Sequence, residues 1–364
     1  MKLAIVALSL ATATALGGCK KDENKTPANE PAAPSAAKTT ATSGTPKAPD
    51  KKAWTGADSA KAYAACWNLF NANEVEKFVG CFEKDPDFGY IDFAPPMQAE
   101  TTEAMTGMIN MWRGKFADAK VEPQLVLANG KEVLAIAFIT QSAEGKAFSV
   151  FEAHGYSFND DGKITGGYHL MDQATGAHQM GMHKSEMSPD SETAWAKEAI
   201  VIAKSDDKEK KNLEFVKGLE KLVGSKDKAA MLAVVADDIE FRYVGDKNVI
   251  ANKAAYEKAM NRWMSMVEVT KRTSNNVMAA GDWVFTSSDV TIKMLKDMPG
   301  AKGTKGKEVT TKQVEFIMVA DGKIKKHWIF ENSMQFPIQL GLMDPSKMHG
   351  QKPDASGKDK PAKK

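Results

Sequence analysis

Apolar positions fall along this chain in two blocks of one plan, with helical spacing first and alternating spacing afterwards. In the first block, positions 58–70 carry Ala62, Ala65, Cys66, Leu69 and Phe70 at helical intervals. Asn73, with Glu76 three positions on, predicts a capped second helix running to about Asp85-Pro86, then a short strand over 88–92. Met105, Met108, Ile109, Trp112 and Phe116 make one stripe of a third helix over 102–116. Only strands follow. Segments 125–127 and 133–136 flank Asn129-Gly130, a strong hairpin signal, and two more strands are expected near 148–158 and 164–171. The second block predicts helices near 209–223, 227–236 and 252–267, and strands near 239–244, 270–279, 283–294, 309–319 and 324–332. Its Gly- and Lys-rich loop over 299–307 is expected to be mobile.

The two blocks share residues as well as order. Asp161-Gly162-Lys163-Ile164 recurs as Asp321-Gly322-Lys323-Ile324. At fixed offsets come Tyr168 and Trp328, Asp172 and Asn332, then Gln179-Met180-Gly181 and Gln339-Leu340-Gly341. Upstream, Asn110 and Trp112 match Asn261 and Trp263, and Asp87-Phe88-Gly89-Tyr90 matches Glu240-Phe241-Arg242-Tyr243. A duplicated domain explains all of these. Helices first and strands later define an α+β fold. This repeated order resembles the nuclear transport factor 2-like superfamily, in its SnoaL-like polyketide cyclase branch. The resemblance implies two tandem cone-shaped domains, each with three helices closing over a curved antiparallel sheet around an apolar pocket.

The boundaries expected are domains over 55–183 and 207–344, joined by a linker and connecting helix over 184–206 that docks between the halves. Lys2, a short apolar run and Leu16-Gly17-Gly18-Cys19 read as a signal peptide over 1–18 ending in a lipobox. By resemblance to bacterial lipoproteins, Cys19 is acylated and anchors an exported chain. Lys20 and Lys21 after it favour an outer-membrane address facing the periplasm or the cell surface in a Gram-negative source. Segments 19–54 and 345–364 lack an apolar period and read as a tether and a basic tail. A net charge of +2 on an exported chain excludes nucleic acid as the expected partner. The expected partners are the membrane through Cys19, and a small apolar ligand or an envelope protein.

The resemblance implies a buried carboxylate or histidine facing an apolar pocket, since burial lifts a carboxyl pKa towards the working pH. The candidates are Asp92 and Asp172, with Tyr90 beside Asp92 in sequence. Alternation places Asp172 on the face of Ile164, Tyr168 and Leu170. Tyr90, Trp112, His154, His169, Tyr243, Trp263, Trp328 and Asn332 are the expected ligand-binding set. Aligned on the repeated string, the second half replaces Asp172 by Asn332, His154 by Val314 and His169 by Ile329. No acid–base set is then shared, so binding without catalysis is the expected function. The first alternative is an isomerase, cyclase or dehydratase acting through the first half, and the second is a structural envelope module using the convex sheets. His178 and His183 flank methionines in a pattern that suits copper, but Ile338 and Leu342 at the matching positions argue for core. No metal or cofactor is expected. Cys66 and Cys81 leave two alternatives, a disulfide or two buried thiols.

Overall fold

The computed structural model describes residues 53–342, apart from 91–96, 144, 173–174, 177–178, 180–198, 226, 245–248, 299–300 and 332–334. The first helix, α1 (Gly56–Asn71), opens on a reciprocal cap. Thr55 N donates to Asp58 Oδ2 at 3.0 Å, and Asp58 N donates to Thr55 Oγ1 at 3.3 Å. Asn73, expected to cap the next helix, instead adopts φ 59° and donates its N–H to Phe70 O. It turns the chain out of α1, a conformation asparagine tolerates better than most residues. The second helix is therefore short, α2 (Val75–Val79), and β1 (Phe82–Tyr90) already occupies the stretch expected to be helix up to 85–86. Then come β2 (Met97–Ala99), α3 (Thr102–Lys115), β3 (Lys120–Asn129), β4 (Glu132–Ala143), β5 (Lys146–Phe158) and β6 (Ile164–Met171). Gly130, at φ 54°, makes the β3–β4 turn that the Asn-Gly pair predicts.

No helix joins the halves among the described residues of the linker. Ala199–Ile202 forms β7, which adds to β3 in parallel, with Leu125 opposite Ala199. A run of Ile200, Val201 and Ile202 suits a strand better than a helix. The first sheet has the order β2-β1-β6-β5-β4-β3-β7 and is antiparallel except at β1–β6 and β3–β7. The second half repeats the plan with α4 (Asp207–Ser225), α5 (Lys228–Ala233), β8 (Val235–Tyr243), α6 (Lys253–Met266), β9 (Val267–Ala280), β10 (Trp283–Met294), β11 (Glu308–Ala320), β12 (Lys323–Glu331) and α7 (Gln335–Gln339). Its sheet order is β8-β12-β11-β10-β9, with β8–β12 the parallel pair. The β10–β11 loop, expected to be mobile, is internally bonded. Asp297 Oδ1 accepts from Thr304 N at 2.9 Å and Lys305 N at 2.8 Å, and Thr304 is buried.

Each sheet has one face under its own helices and one face against the other sheet. Under α1–α3 lie Tyr63, Trp67, Phe70, Phe78, Phe82, Phe88, Met105 and Tyr156. On the opposite face, Leu127, Ile136, Phe151 and Leu170 pack with Phe285, Phe316, Trp328 and Phe330 of the second half. The Phe151 and Trp328 rings meet edge to face at 5.7 Å. The convex faces that the structural alternative offered to outside partners thus cover each other within one chain.

The ladders also correct the internal alignment. Phe158 pairs with Ile164 across a turn of five residues, whereas Val319 pairs with Ile324 across four. Upstream of the repeated string, β5 and β11 therefore correspond one residue further on. His154 stands where the second half has Glu315, not Val314, and Glu152 stands where it has Gln313. A slip of one residue exchanges the two faces of a strand. The repeated glutamines confirm the shift: Gln179 Oε1 accepts from Ser149 N at 2.7 Å, and Gln339 Oε1 accepts from Thr310 N at 2.8 Å.

Candidate functional site

Five polar side chains run in a line beneath α1, inside the first aromatic core. Glu152 and His154 are two apart on β5 and so share its concave face, while His169 sits opposite His154 on β6. His154 Nε2 lies 2.8 Å from Glu152 Oε2, and His154 Nδ1 lies 2.7 Å from Tyr63 Oη. On the other arm, Tyr156 Oη lies 2.5 Å from His169 Nε2. His169 Nδ1 is 3.3 Å from Glu152 Oε1, an ion-pair distance without hydrogen-bond alignment. The order is Tyr63, His154, Glu152, His169, Tyr156. Glycine makes part of this possible, because a β-carbon on Gly167 would fall 2.6 Å from Tyr156 Cδ1.

Burial would raise the Glu152 carboxyl, but the charge of His169 and the charge and hydrogen bond of His154 overcome it and leave its pKa at about 2. Burial lowers His154, His169 lowers it further, and Glu152 offsets only part, leaving about 4. An ionised Glu152 only accepts, so His154 Nε2 carries the hydrogen and donates to it. Neutral His154 then accepts at Nδ1, and Tyr63 donates its O–H. The tyrosine keeps its proton firmly, since burial and the Glu152 charge both raise its pKa.

The same residues form a two-histidine, one-carboxylate group whose ligand atoms lie within 4.8 Å of one another. The residue types suit zinc or iron, but the rings do not. They stack at 4.1 Å between centroids and 15° between planes. A metal bonds a ring nitrogen in the ring plane at about 2 Å, and an ion midway between stacked rings lies about that far out of both planes. The arrangement fits hydrogen bonding instead.

Tyr63, Glu152 and His154 have no accessible surface, and His169 and Tyr156 are 2% and 3% exposed. Trp67 stacks on His154 at 5.1 Å, and the Phe88 ring meets His169 edge-on at 4.9 Å. Glu152, His154 and Tyr63 present no surface to a ligand.

The residues singled out in sequence fare unevenly. His154 and His169 are brought together. Asp172 is buried beside Thr175, whose N–H and hydroxyl both bond its carboxylate, with N···Oδ1 at 3.0 Å. The expected shared face fails there, because Tyr168 and Leu170 point to the sheet–sheet core while Ile164, beyond a ladder irregularity, lies under the helices. Tyr90 pairs through its backbone with Met97 and His169. Asp92, Asn332, Cys19, His178 and His183 lie outside the described residues. Trp328 belongs to the core between the sheets, with the Arg242 guanidinium 4.5 Å over its ring. Trp263 is 41% exposed on α6. Trp112 is part-buried, and its Nε1 donates to Gln141 Oε1 at 2.8 Å. Cys66 and Cys81 are bonded, which settles the choice between disulfide and thiols.

Sequence reasoning missed Glu152, Tyr63 and Tyr156. The available signal was Val150, Glu152, His154 and Tyr156 on one face of a strand between apolar neighbours. It also missed the second domain's counterpart. There Glu315, at the His154 position, pairs with Arg272 of β9 and lies 2.7 Å from His327 Nε2 of β12. Burial would raise Glu315, but Arg272 and His327 bring it down to about 2. Near its edge, Glu331 accepts from Gln313 Nε2 at 2.8 Å and from Tyr243. Burial raises the Glu331 carboxyl, and those two bonds offset only part of the rise. One cleft, of about 350 Å³, opens at the far end of β4 and β5, lined by Asp118, Thr140, Gln141, Ala147, Phe148, Ser149 and Gln179.

The fold and this site can be set beside known proteins. Similar solved structures include an NTF2-like protein from Burkholderia xenovorans LB400, 22% identical over 36% of this chain and 96% of that one, with a TM-score of 0.31. An LEH-like epoxide hydrolase of M. tuberculosis is 16% identical over 36% of this chain and 91% of its own, with a TM-score of 0.31. TsrD from Streptomyces laurentii is 15% identical over 38% and 98%, with a TM-score of 0.33. No curated protein matched. The sequence model of the SnoaL-like domain matches residues 60–166 and again 216–327, more than half of the 364 residues, and the chain belongs to that family in two tandem copies.

Proposed function

We propose that this protein is an exported lipoprotein whose paired SnoaL-like domains bind a small ligand or an envelope protein without turning it over. One observation carries the non-catalytic part: the acid–base groups of the first domain are sealed, with Glu152, His154 and Tyr63 at zero exposure. A general base must come within hydrogen-bond reach of the proton it takes, and these atoms are already committed to one another. The 350 Å³ cleft beside Gln141 is at the small end for a ligand site, and its mixed lining suits an amphipathic molecule. Leu16-Gly17-Gly18-Cys19 supports the anchor. Fatty-acid labelling in the native host should mark the wild type and fail on Cys19→Ala; equal labelling would remove the anchor from this reading.

Native mass spectrometry of protein from its own host tests the binding. A retained small molecule or a stable protein complex supports it, and it should survive Glu152→Gln. Turnover of ketone, epoxide or alcohol substrates that vanishes in a still-folded Glu152→Gln would sink it.

Acid–base catalysis has one observation in its favour, and it lies in the second domain. Glu331, raised by burial and bonded to Tyr243 and Gln313, is shifted towards the protonated form, the direction a proton-exchanging carboxyl needs. Activity abolished by Glu331→Gln and untouched by Glu152→Gln would establish that reading in place of binding.

A further inference from the structure

We infer that the β10–β11 end of the second domain is a contact surface for anionic lipid. Three of the six large apolar side chains that stand exposed among the described residues gather there: Trp263 at 41%, Leu295 at 38% and Leu342 at 43%. Local bonds hold them together. Leu295 N donates to Met266 O at 2.8 Å, one helical turn beyond Trp263 on α6. Met294 N donates to Lys307 O at 2.9 Å, Lys307 Nζ bonds Leu340 O, and Leu342 N donates to Pro337 O at 2.8 Å. A small separate core that includes Val267, Ile292, Met294, Met298, Val309 and Leu340 lies in the same elements, with Met266 and Phe336 packed against it.

Charge names the partner. Arg262, Lys293, Lys296, Lys302, Lys305 and Lys307 are all exposed at this end, against the exposed carboxylates of Asp297 and Glu308. Asp297 is turned into the loop by its bonds to Thr304 N and Lys305 N. Beyond Leu342 the sequence continues with six lysines against three aspartates, Asp344, Asp354 and Asp359. An exposed indole and leucines ringed by lysines match the headgroup layer of an anionic bilayer, where indoles settle and each lysine contributes about fivefold in affinity. A buried protein interface would instead strip the lysines of water. No described helix is long and apolar enough to cross a membrane. The contact would hold the second domain against a bilayer independently of acylation at Cys19, which the labelling experiment above reads separately.

The test uses the full chain isolated from its host with vesicles carrying brominated acyl chains, read by tryptophan emission. Phosphatidylglycerol vesicles should quench part of the emission, high salt should restore it, and pure phosphatidylcholine should leave it unchanged. Trp263→Phe should remove the quenched component, and the triple exchange Lys296→Glu, Lys302→Glu and Lys305→Glu should abolish quenching with the far-ultraviolet spectrum intact. Equal quenching in both lipids, quenching that survives the triple exchange, or none at all overturns the inference. So does an acidic envelope protein captured through these lysines while the vesicles stay unquenched.

Discussion

Glu152 is the residue on which the first domain turns. It is a charge held in an aromatic core by two histidines, and such a group is costly to leave unpaired. Glu152→Gln should lower the stability of the first domain by about 3–5 kcal/mol, measured by denaturant unfolding followed through tryptophan emission. A change within the error of the fit would show that the carboxylate is not ionised in the core. Acid should act on the same residues. Glu152 and Glu315 have folded pKa values near 2 against an ordinary 4.5, so their contribution is complete above 4.5 and lost as pH falls towards 2. His154 sits near 4 against 6.5, so the unfolded chain takes up its proton first and stability begins to drop below about pH 6.5. All three have the same sign. Thermal midpoints should fall steadily from pH 7 to pH 4, and a midpoint that rises on acidification would contradict the assigned charges.

At the level of elements, helices and strands were largely readable from apolar period alone, and α3, β5, β6 and β10 lie within two residues of expectation. The failures have local causes. Asn73 has the spacing of an N-cap from Glu76, whereas its positive φ places it in the turn just past α1. The four residues of β7 carry too little period to separate strand from helix. Most consequential was a single residue. The turn at Asp160-Asp161 is one residue longer than that at Asp321, so matching the halves on their shared string set β5 out of register and hid Glu315. Buried partners such as Tyr63 were out of reach for another reason: 91 positions separate it from His154, and only folding brings them together. The Cys66–Cys81 bond closes a short loop between α1 and the start of β1. Reduction should destabilise the molecule by about 3 kcal/mol, read as a lower midpoint of its single calorimetric transition with reductant than without. An unchanged midpoint would show that the bridge adds no stability.

Across the whole molecule, the duplication yields two cones joined back to back rather than two beads on a string. Phe151, Leu170, Phe316 and Trp328 bury their faces in one shared core. Phe151→Ala should cost about 3–5 kcal/mol and split a single calorimetric transition into two, as the sheets lose their common packing. An unsplit transition would mean that the halves already unfold separately or that the contact is minor. This arrangement leaves the helix sides, the β4–β5 cleft and the lysine-rich hairpin as the surfaces for partners. The proposed non-catalytic role rests on the sealing of Glu152, His154 and Tyr63 inside the first cone. Nitrogen-15 resonances of the histidine rings test it most directly. His154 is expected to stay neutral with its proton on Nε2 from pH 8 to pH 6, undisturbed by any ligand that fills the cleft. A His154 that titrates near neutrality, or shifts when a substrate analogue is added, would contradict it.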